Sequence, residues 1–304
     1  MSPAPLIITA RQAAGLTFKF VLFQFGFFIL VGIAQGVIAG ISGQHLPASS
    51  GVNPLLLTVV NTLAAFLVLR GQLKKSRLPW SGLILPSARW VRLLPWFLLI
   101  IVGEIILVSE SGNLMTFFLP PPQWLRAVFS SINDLGGHPW SGPFVLMVVA
   151  PVTEECLFRG LILRGLLTKT NPMRAVVISA LLFAAMHLNP WQMPGAFLLG
   201  IIFGWAYLRT RSLTLCMLGH GLHNSMVLLA AGLPFTVDGF NRAHAQNVVL
   251  FQPWWFNLLG LSSLAIGVYI FHRTAPFFAW TPPVQSDVPP PLPLAPAAAI
   301  APES

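Results

Sequence analysis

Long apolar segments, separated by short links that carry most of the charged residues, are the feature that most constrains the fold of this 304-residue chain. Only 8% of its residues are charged, against about 25% in an average soluble domain. Hydrophobic residues make up 55% of the sequence. That is more than one buried core needs, so part of the apolar surface must face lipid. We therefore predict an all-α polytopic membrane protein.

Eight segments are candidates for membrane-spanning helices, each of which needs about 20 apolar residues. They are 20–41, 53–68, 91–109, 142–167, 174–188, 193–208, 212–233 and 254–272. The fifth and sixth are short and joined by the tight link 189–192, so this pair is either two spans or a re-entrant hairpin. The first is interpreted as a retained helix rather than a cleaved signal peptide, because it is long and little charge precedes it. The prediction is one bundle of about eight helices.

The basic residues predict how the bundle is oriented. With a cytoplasmic N-terminus and eight alternating segments, the cytoplasmic ends hold 14 of the 17 Lys and Arg residues. Arg126 and Arg242 lie outside, and Arg159 lies within a segment. This asymmetry satisfies the positive-inside rule, so both termini are expected in the cytoplasm. Because the basic residues cluster at membrane boundaries, the net charge of +9 is not taken as a sign of nucleic-acid binding.

The chain is divided into a cytoplasmic N-terminus (1–19), a transmembrane bundle (20–273) and a disordered Pro-rich tail (274–304). A further pattern lies between the third and fourth segments. Its apolar residues are spaced i, i+3, i+4, i+7, which is typical of an interfacial amphipathic helix or of a loop helix packed on the bundle. These residues are Leu125, Val128, Phe129 and Ile132. Cys156 and Cys216 lie inside apolar segments and suggest no disulfide framework.

Ionisable residues within the apolar segments are costly and therefore indicate a functional site. In the fourth segment, Glu155 and Arg159 are four residues apart and share a helix face. They are predicted to form an ion pair, which either supports a site or only holds helices together. Glu154 points about 140° away from Arg159 and has no such partner in its own helix. Something on another helix must therefore explain it.

The fifth segment contributes His187, and the seventh contributes His220 and Asn224, again four residues apart. Counted from the predicted cytoplasmic boundaries, Glu154, His187 and Asn224 lie about 18 to 23 Å deep at 1.5 Å per residue. His220 lies about one turn closer to the cytoplasm, so all four are expected in one layer of the bundle. His223 points to a different side of its helix. It is interpreted as a supporting or lipid-interface residue, with a direct role left open.

In chain order, these residues form Glu-Glu-x-x-x-Arg, Phe-x-x-x-His and His-x-x-x-Asn on three apolar helices. The arrangement resembles the CPBP family of intramembrane proteases, also called the CAAX prenyl protease and bacteriocin-processing (Abi) family, over residues 150 to 224. The resemblance implies an intramembrane endopeptidase with a protease core at about 142–233, acting on a membrane-embedded or lipid-modified peptide. It implies that Glu154 and His187 activate a water and that His220 and Asn224 stabilise the oxyanion. Glu155 and Arg159 would support the site.

Two other functions remain open at this point. One is a non-catalytic bacteriocin-immunity or scaffold protein that keeps these residues to hold its helices together. The other is a transporter with a proton relay, against which the absence of an internal repeat counts. For the enzyme, the expected location is a bacterial inner membrane.

The residues also permit two versions of the hydrolytic chemistry. Glu154, His187 and His220 could bind a catalytic zinc ion with an open position for water. Zinc would occupy His220 and leave Glu155, already paired with Arg159, as the only separate base. We therefore expect a glutamate-type enzyme without a cofactor.

Overall fold

The computed structural model describes residues 6–42, 54–83, 90–122, 141–230, 232–242 and 248–275. These residues form eight helices and a short 3₁₀ turn, with no β-strand among them. The helices are α1 (Ala10–Ser42), α2 (Pro54–Ser76), α3 (Trp90–Phe118), α4 (141–166), α5 (Pro172–Met186), α6 (Met193–Thr210), α7 (Leu213–Ala230) and α8 (Trp254–Thr274). Each helix overlaps one of the eight predicted segments, but α2 ends at Ser76 rather than at residue 68 and α3 ends at Phe118 rather than at residue 109. The prediction of an all-α membrane protein is confirmed.

Helix α1 begins ten residues earlier than the sequence analysis placed it, at Ala10 rather than Phe20. Its start is a capping box, in which Thr9 Oγ1 accepts from the Gln12 amide at 3.3 Å and Gln12 Oε1 accepts from the Thr9 amide at 2.9 Å. The turns that precede the predicted start are partly packed against the bundle, since Ala13, Leu16 and Phe20 are buried. The predicted boundary at residue 19 therefore falls inside a continuous helix.

Three helices, α1, α3 and α8, are long and apolar enough to cross a membrane by length and composition. The C-terminal part of α1 exposes large apolar side chains, as expected of a surface that faces lipid. These are Phe25, Ile29, Leu30, Ile33, Val37, Ile38 and Ile41. Helix α5 has 15 residues, or about 22 Å at helical rise. That is short of the roughly 30 Å hydrocarbon core, so α5 and α6 are still either two spans or a re-entrant pair.

Helices α3 and α8 pack so closely that their backbones almost touch. A Cβ at Gly103 would lie 2.4 Å from the Leu264 amide nitrogen, and one at Gly260 would lie 2.7 Å from the Ile106 side chain. Small residues at such crossings allow close van der Waals packing where lipid supplies no hydrophobic driving force. Ser263 adds a hydrogen bond from its hydroxyl to the Leu99 carbonyl at 2.8 Å. Helix α3 is therefore firmly supported from the α8 side.

Arginines at the predicted cytoplasmic end cap backbone carbonyls of other segments. Arg164 donates to the Gly82 carbonyl, and Arg209 donates to the carbonyls of His272 and Ala275. The predicted amphipathic helix at residues 125–132 and the Pro-rich tail lie outside the described residues. Both remain expectations.

Candidate active site

Three of the predicted residues meet at one carboxylate oxygen. Glu155 Oε1 accepts a hydrogen bond from Arg159 NH1 at 2.8 Å and another from His220 Nδ1 at 3.0 Å. Glu155 and Arg159 are 0% and 1% exposed, and His220 is 4% exposed. Two charges this deeply buried are tolerated because they neutralise each other within one turn of α4. The shared oxygen also ties α4 to α7.

The opposite ring nitrogen of His220 faces the neighbouring acid. His220 Nε2 lies 3.9 Å from Glu154 Oε2. Because Glu155 accepts from Nδ1, the neutral ring has its lone pair on Nε2, directed toward Glu154. Glu154 is 13% exposed and Glu155 is 0% exposed, so of the two acids only Glu154 is accessible from outside the packed core. The partner that Glu154 lacks in its own helix is thus His220.

Aromatic rings hold Arg159 and His220 in place. The Arg159 guanidinium lies 4.7 Å from the centre of the Phe183 ring and 5.4 Å from that of Phe203. The His220 ring lies 5.8 Å from the Phe183 ring and 5.7 Å from the Phe203 ring, centre to centre. The guanidinium therefore gains cation–π contacts on two sides in addition to its ion pair.

His187 reaches this cluster through the same Phe183 ring. The His187 and Phe183 rings meet edge to face with their centres 5.1 Å apart. His187 Nδ1 donates to the Phe183 carbonyl at 2.9 Å, and this assigns the proton to Nδ1 because a carbonyl can only accept. Its Nε2 then carries the lone pair that a general base needs.

Asn224 lies one turn beyond His220 on α7 and contacts α4 instead of the acids. Its Nδ2 donates to the Leu146 carbonyl at 2.8 Å. Residues Val145–Val149 form a wide π-helical turn just before Pro151, which has no backbone N–H to donate to a carbonyl one turn earlier. Asn224 supplies a hydrogen bond in its place and keeps a second N–H for other use.

The same stretch of α4 allows α7 to approach closely. A Cβ at Gly221 would lie 2.4 Å from the Met147 carbonyl oxygen. Only glycine fits at that position with the backbones where they are. Gly221 and Asn224 together set the distance between the two helices.

Two further polar contacts were missed by the sequence analysis. His223 Nδ1 bonds to Glu104 Oε2 on α3 at 2.8 Å, and Glu104 is 0% exposed. On the other side of α4, Gln24 donates to Asn61 at 2.8 Å and Asn61 donates to the Thr153 hydroxyl at 3.0 Å. Glu104, Gln24 and Asn61 belong to no motif. Only their position as polar residues within apolar segments could have identified them.

Among the residues described, no three His, Cys, Asp or Glu side chains are grouped as a metal site. Nitrogen and oxygen donors from Glu154, His187 and His220 are the set that a zinc ion would need. The metal-free mechanism therefore remains a prediction.

Comparison with known proteins agrees with the motifs. Residues 137–226 match the family model described as Type II CAAX prenyl endopeptidase Rce1-like. A Bacillus subtilis (strain 168) protein named "Putative membrane peptidase YdiL" is 29% identical over 85 residues, or 28% of this chain and 35% of that protein. The match thus spans about a third of the relative's length. No solved structure matches the chain.

The matched region contains α4, α5, α6 and most of α7, and with them all six residues that carry the family motifs. The resemblance to the CPBP intramembrane proteases is confirmed over this part of the chain. Fold and family match together define an integral membrane protein in which residues 137–226 are similar to the CAAX-type endopeptidases.

Proposed function

We propose that this protein is an intramembrane endopeptidase that hydrolyses a peptide bond of a membrane-associated protein or peptide. The observation that carries the proposal is the pair of carboxylates on either side of His220. One is fully buried and fixes the ring, while the other is accessible and faces the free ring nitrogen. A helix clasp needs the first contact but not the second.

In the proposed mechanism, Glu154 and His187 activate the water. A water about 2.8 Å from both Glu154 Oε2 and His220 Nε2 is compatible with their 3.9 Å separation. Glu154 takes a proton from this water as it attacks the peptide carbonyl, and the proton then passes to the leaving amine. The water has two hydrogens, so the bare Nε2 of His187 is proposed to accept the second of them in place of His220 Nε2.

Oxyanion stabilisation is assigned to His220 and Asn224. The second N–H of Asn224 is available to donate while the first holds the Leu146 carbonyl. His220 can donate from Nε2 only when that nitrogen carries a proton as well. Glu154 can pass to Nε2 the proton that it took from the water, and Nε2 returns this proton through Glu154 to the leaving amine when the oxyanion collapses. Glu155 and Arg159 hold the ring in either form. The loss of one such donor costs roughly 10²- to 10³-fold in kcat.

The proposed substrate is a membrane-embedded or lipid-modified peptide, in line with the description of the matching family as CAAX prenyl endopeptidases. The proposed location is a bacterial inner membrane with both termini in the cytoplasm. A non-catalytic immunity or scaffold protein is the second candidate. It is favoured by the buried contacts of Glu155, Arg159 and His220, which would hold α4 and α7 together without any reaction.

The test is a cleavage assay with purified protein in liposomes. The substrates are two internally quenched peptides of the same sequence, one with a C-terminal prenylated cysteine and one without the lipid. We expect the prenylated peptide to be cleaved at one bond, identified by mass spectrometry, and Glu154→Gln to be inactive. Glu110→Gln is the matched control, because Glu110 binds Gln252 and Asn257 away from the site. Activity in Glu154→Gln equal to that of the control would contradict the proposal.

A further inference from the structure

Helix α7 is held on two separate faces. His220, Gly221 and Asn224 face α4. Gly219 and His223 face α3, where a Cβ at Gly219 would lie 2.3 Å from the Phe97 ring and His223 bonds to Glu104. At 100° per residue, the centres of these two faces lie about 120° apart. The rotation of α7 about its axis is therefore fixed by contacts on both sides.

The contact on the α3 side includes an ionisable group that the proposed reaction does not use. Glu104 is 0% exposed, and its Oε1 atom has no hydrogen-bond partner among the described residues. A buried carboxylate with a single partner is a costly way to join two helices, since an apolar pair of similar size would pack at least as well. This cost indicates that Glu104 does more than hold α3 and α7 together.

Glu104 lies on a part of α3 that is packed tightly against α8. Its neighbour Gly103 packs against the α8 backbone, with a Cβ position only 2.4 Å from the Leu264 nitrogen. On the other side of the bond, His223 is next to Asn224 in sequence and three residues after His220. If His223 moves relative to α3, α7 rotates, and the proposed oxyanion donors His220 and Asn224 move with it.

We propose that Glu104 is a positioning residue of the hydrolytic site, which acts through His223 to fix the rotation of α7 and so the placement of His220 and Asn224. This inference rests on the proposed function. A rotation of about 10° moves a side-chain group about 5 Å from the helix axis by about 0.9 Å. Misplacements of about 1 Å cost roughly 10²-fold in rate.

The first test compares two substitutions of Glu104 in the liposome assay. Glu104→Gln keeps a carbonyl oxygen that accepts from His223 Nδ1, whereas Glu104→Leu keeps the volume and removes the acceptor. We expect Glu104→Leu to lower kcat by about ten- to a hundredfold with KM changed less than threefold. Glu104→Gln should recover kcat to within about threefold of the unmodified protein. Equal loss in both variants would overturn the proposal, because charge rather than placement would then matter.

Ser263→Ala is the control for general loss of stability. It removes a buried hydrogen bond between α8 and α3 that does not involve α7. We expect it to lower thermal stability without changing kcat per folded molecule. A fall in kcat equal to that of Glu104→Leu would mean that any weakening of α3 has this effect, and the proposal would fail.

The second test does not depend on activity. The imidazole ¹⁵N resonances of His220, assigned with the His220→Gln variant, report its hydrogen bond to Glu155. They should shift in Glu104→Leu and stay unchanged in Ser263→Ala. If the unmodified protein cleaves nothing, the proposed function fails and with it the role in hydrolysis, while this shift still shows that Glu104 fixes the rotation of α7. If the protein is active and Glu104→Leu changes neither kcat nor the resonances, the positioning role alone is wrong.

Discussion

At the scale of residues, two adjacent acids have surroundings that suit them to different tasks. Glu155 is fully buried, and one of its oxygens accepts from both Arg159 and His220. Glu154 is partly exposed and faces the free ring nitrogen of His220. A group that must meet a substrate has to be accessible, and a group that orients its neighbour has to be fixed. The structure thus supports Glu154 as the reacting acid and Glu155 as its support.

The first prediction concerns metal. Purified protein is expected to contain less than stoichiometric zinc and to keep its activity after exhaustive treatment with a strong membrane-permeant chelator. The reason is that zinc bound by Glu154, His187 and His220 would leave Glu155 as the only separate base, and Arg159 and His220 already occupy that carboxylate. Elemental analysis and the liposome assay measure the two quantities. Activity that is lost on chelation and returns with zinc or cobalt, with one metal per chain that disappears in His187→Ala, would establish a metalloprotease.

Spacing in the sequence was enough to predict contacts within a helix, but few of those between helices. The pair Glu155 and Arg159 follows from four-residue spacing and is present at 2.8 Å. The partner of His223 could not be found in this way, because Glu104 is 119 residues distant and belongs to no motif. Which acid meets which histidine depends on how the helices pack, and a single sequence does not record that.

At the scale of helices, the contact between α4 and α7 depends on Pro151 and Gly221. Pro151 has no N–H to donate to the preceding turn, where α4 widens at Val145–Val149. Gly221 lets α7 approach the Met147 carbonyl in that stretch. The sequence predicted both helices but not the wide turn, for which Pro151 is a local signal.

The second prediction follows from this contact. Gly221→Ala places a methyl group about 2.4 Å from the Met147 carbonyl oxygen, so α7 must move away from α4. We expect the activity per folded molecule to fall by at least tenfold, because misplacement of catalytic groups by about 1 Å costs up to roughly 10²-fold. Gly71→Ala in α2 is the matched control, since nothing lies within 4 Å of its Cβ position. Full activity in Gly221→Ala would show that the close approach is unimportant.

At the scale of the whole molecule, the two ends of the bundle differ in chemistry. Arg164 and Arg209 cap carbonyls at one end. At the other end, α3 finishes and α8 begins with exposed aromatic side chains, namely Phe117, Phe118, Trp254 and Trp255. Trp residues are typical of membrane interfaces, and Arg residues of the cytoplasmic side. Trp residues occur at both interfaces, so only the arginines bear on the orientation, which stays a prediction.

The third prediction is this topology. Reporter fusions after Gln44, Asn113 and Asp238 should read as external, and fusions after Lys75, Thr170 and Arg273 as cytoplasmic. The basis is the placement of 14 of the 17 basic residues at the predicted cytoplasmic ends. A consistent inversion would contradict the topology. A fusion in the link 189–192 that does not read as external would favour a re-entrant α5–α6 pair.

The central claim is that Glu154 takes part in catalysis while Glu155 and Arg159 support the site. Two substitutions one turn apart on α4 test it most directly, because they separate folding from catalysis. Arg159→Ala leaves Glu155 buried without its ion-pair partner, at a cost of roughly 3 to 5 kcal/mol. It should therefore lower the amount of folded protein in the membrane. Glu154→Gln is nearly isosteric and should leave that amount unchanged while it abolishes cleavage.

The measurement is folded protein in the membrane, by detergent extraction and size-exclusion chromatography, alongside specific activity on the prenylated peptide. We expect the Glu154→Gln variant to reach the full amount of folded protein and to be inactive, and the Arg159→Ala variant to yield less folded protein. Equal loss of folded protein in both variants would contradict the central claim, because Glu154 would then be structural and the scaffold function would be favoured.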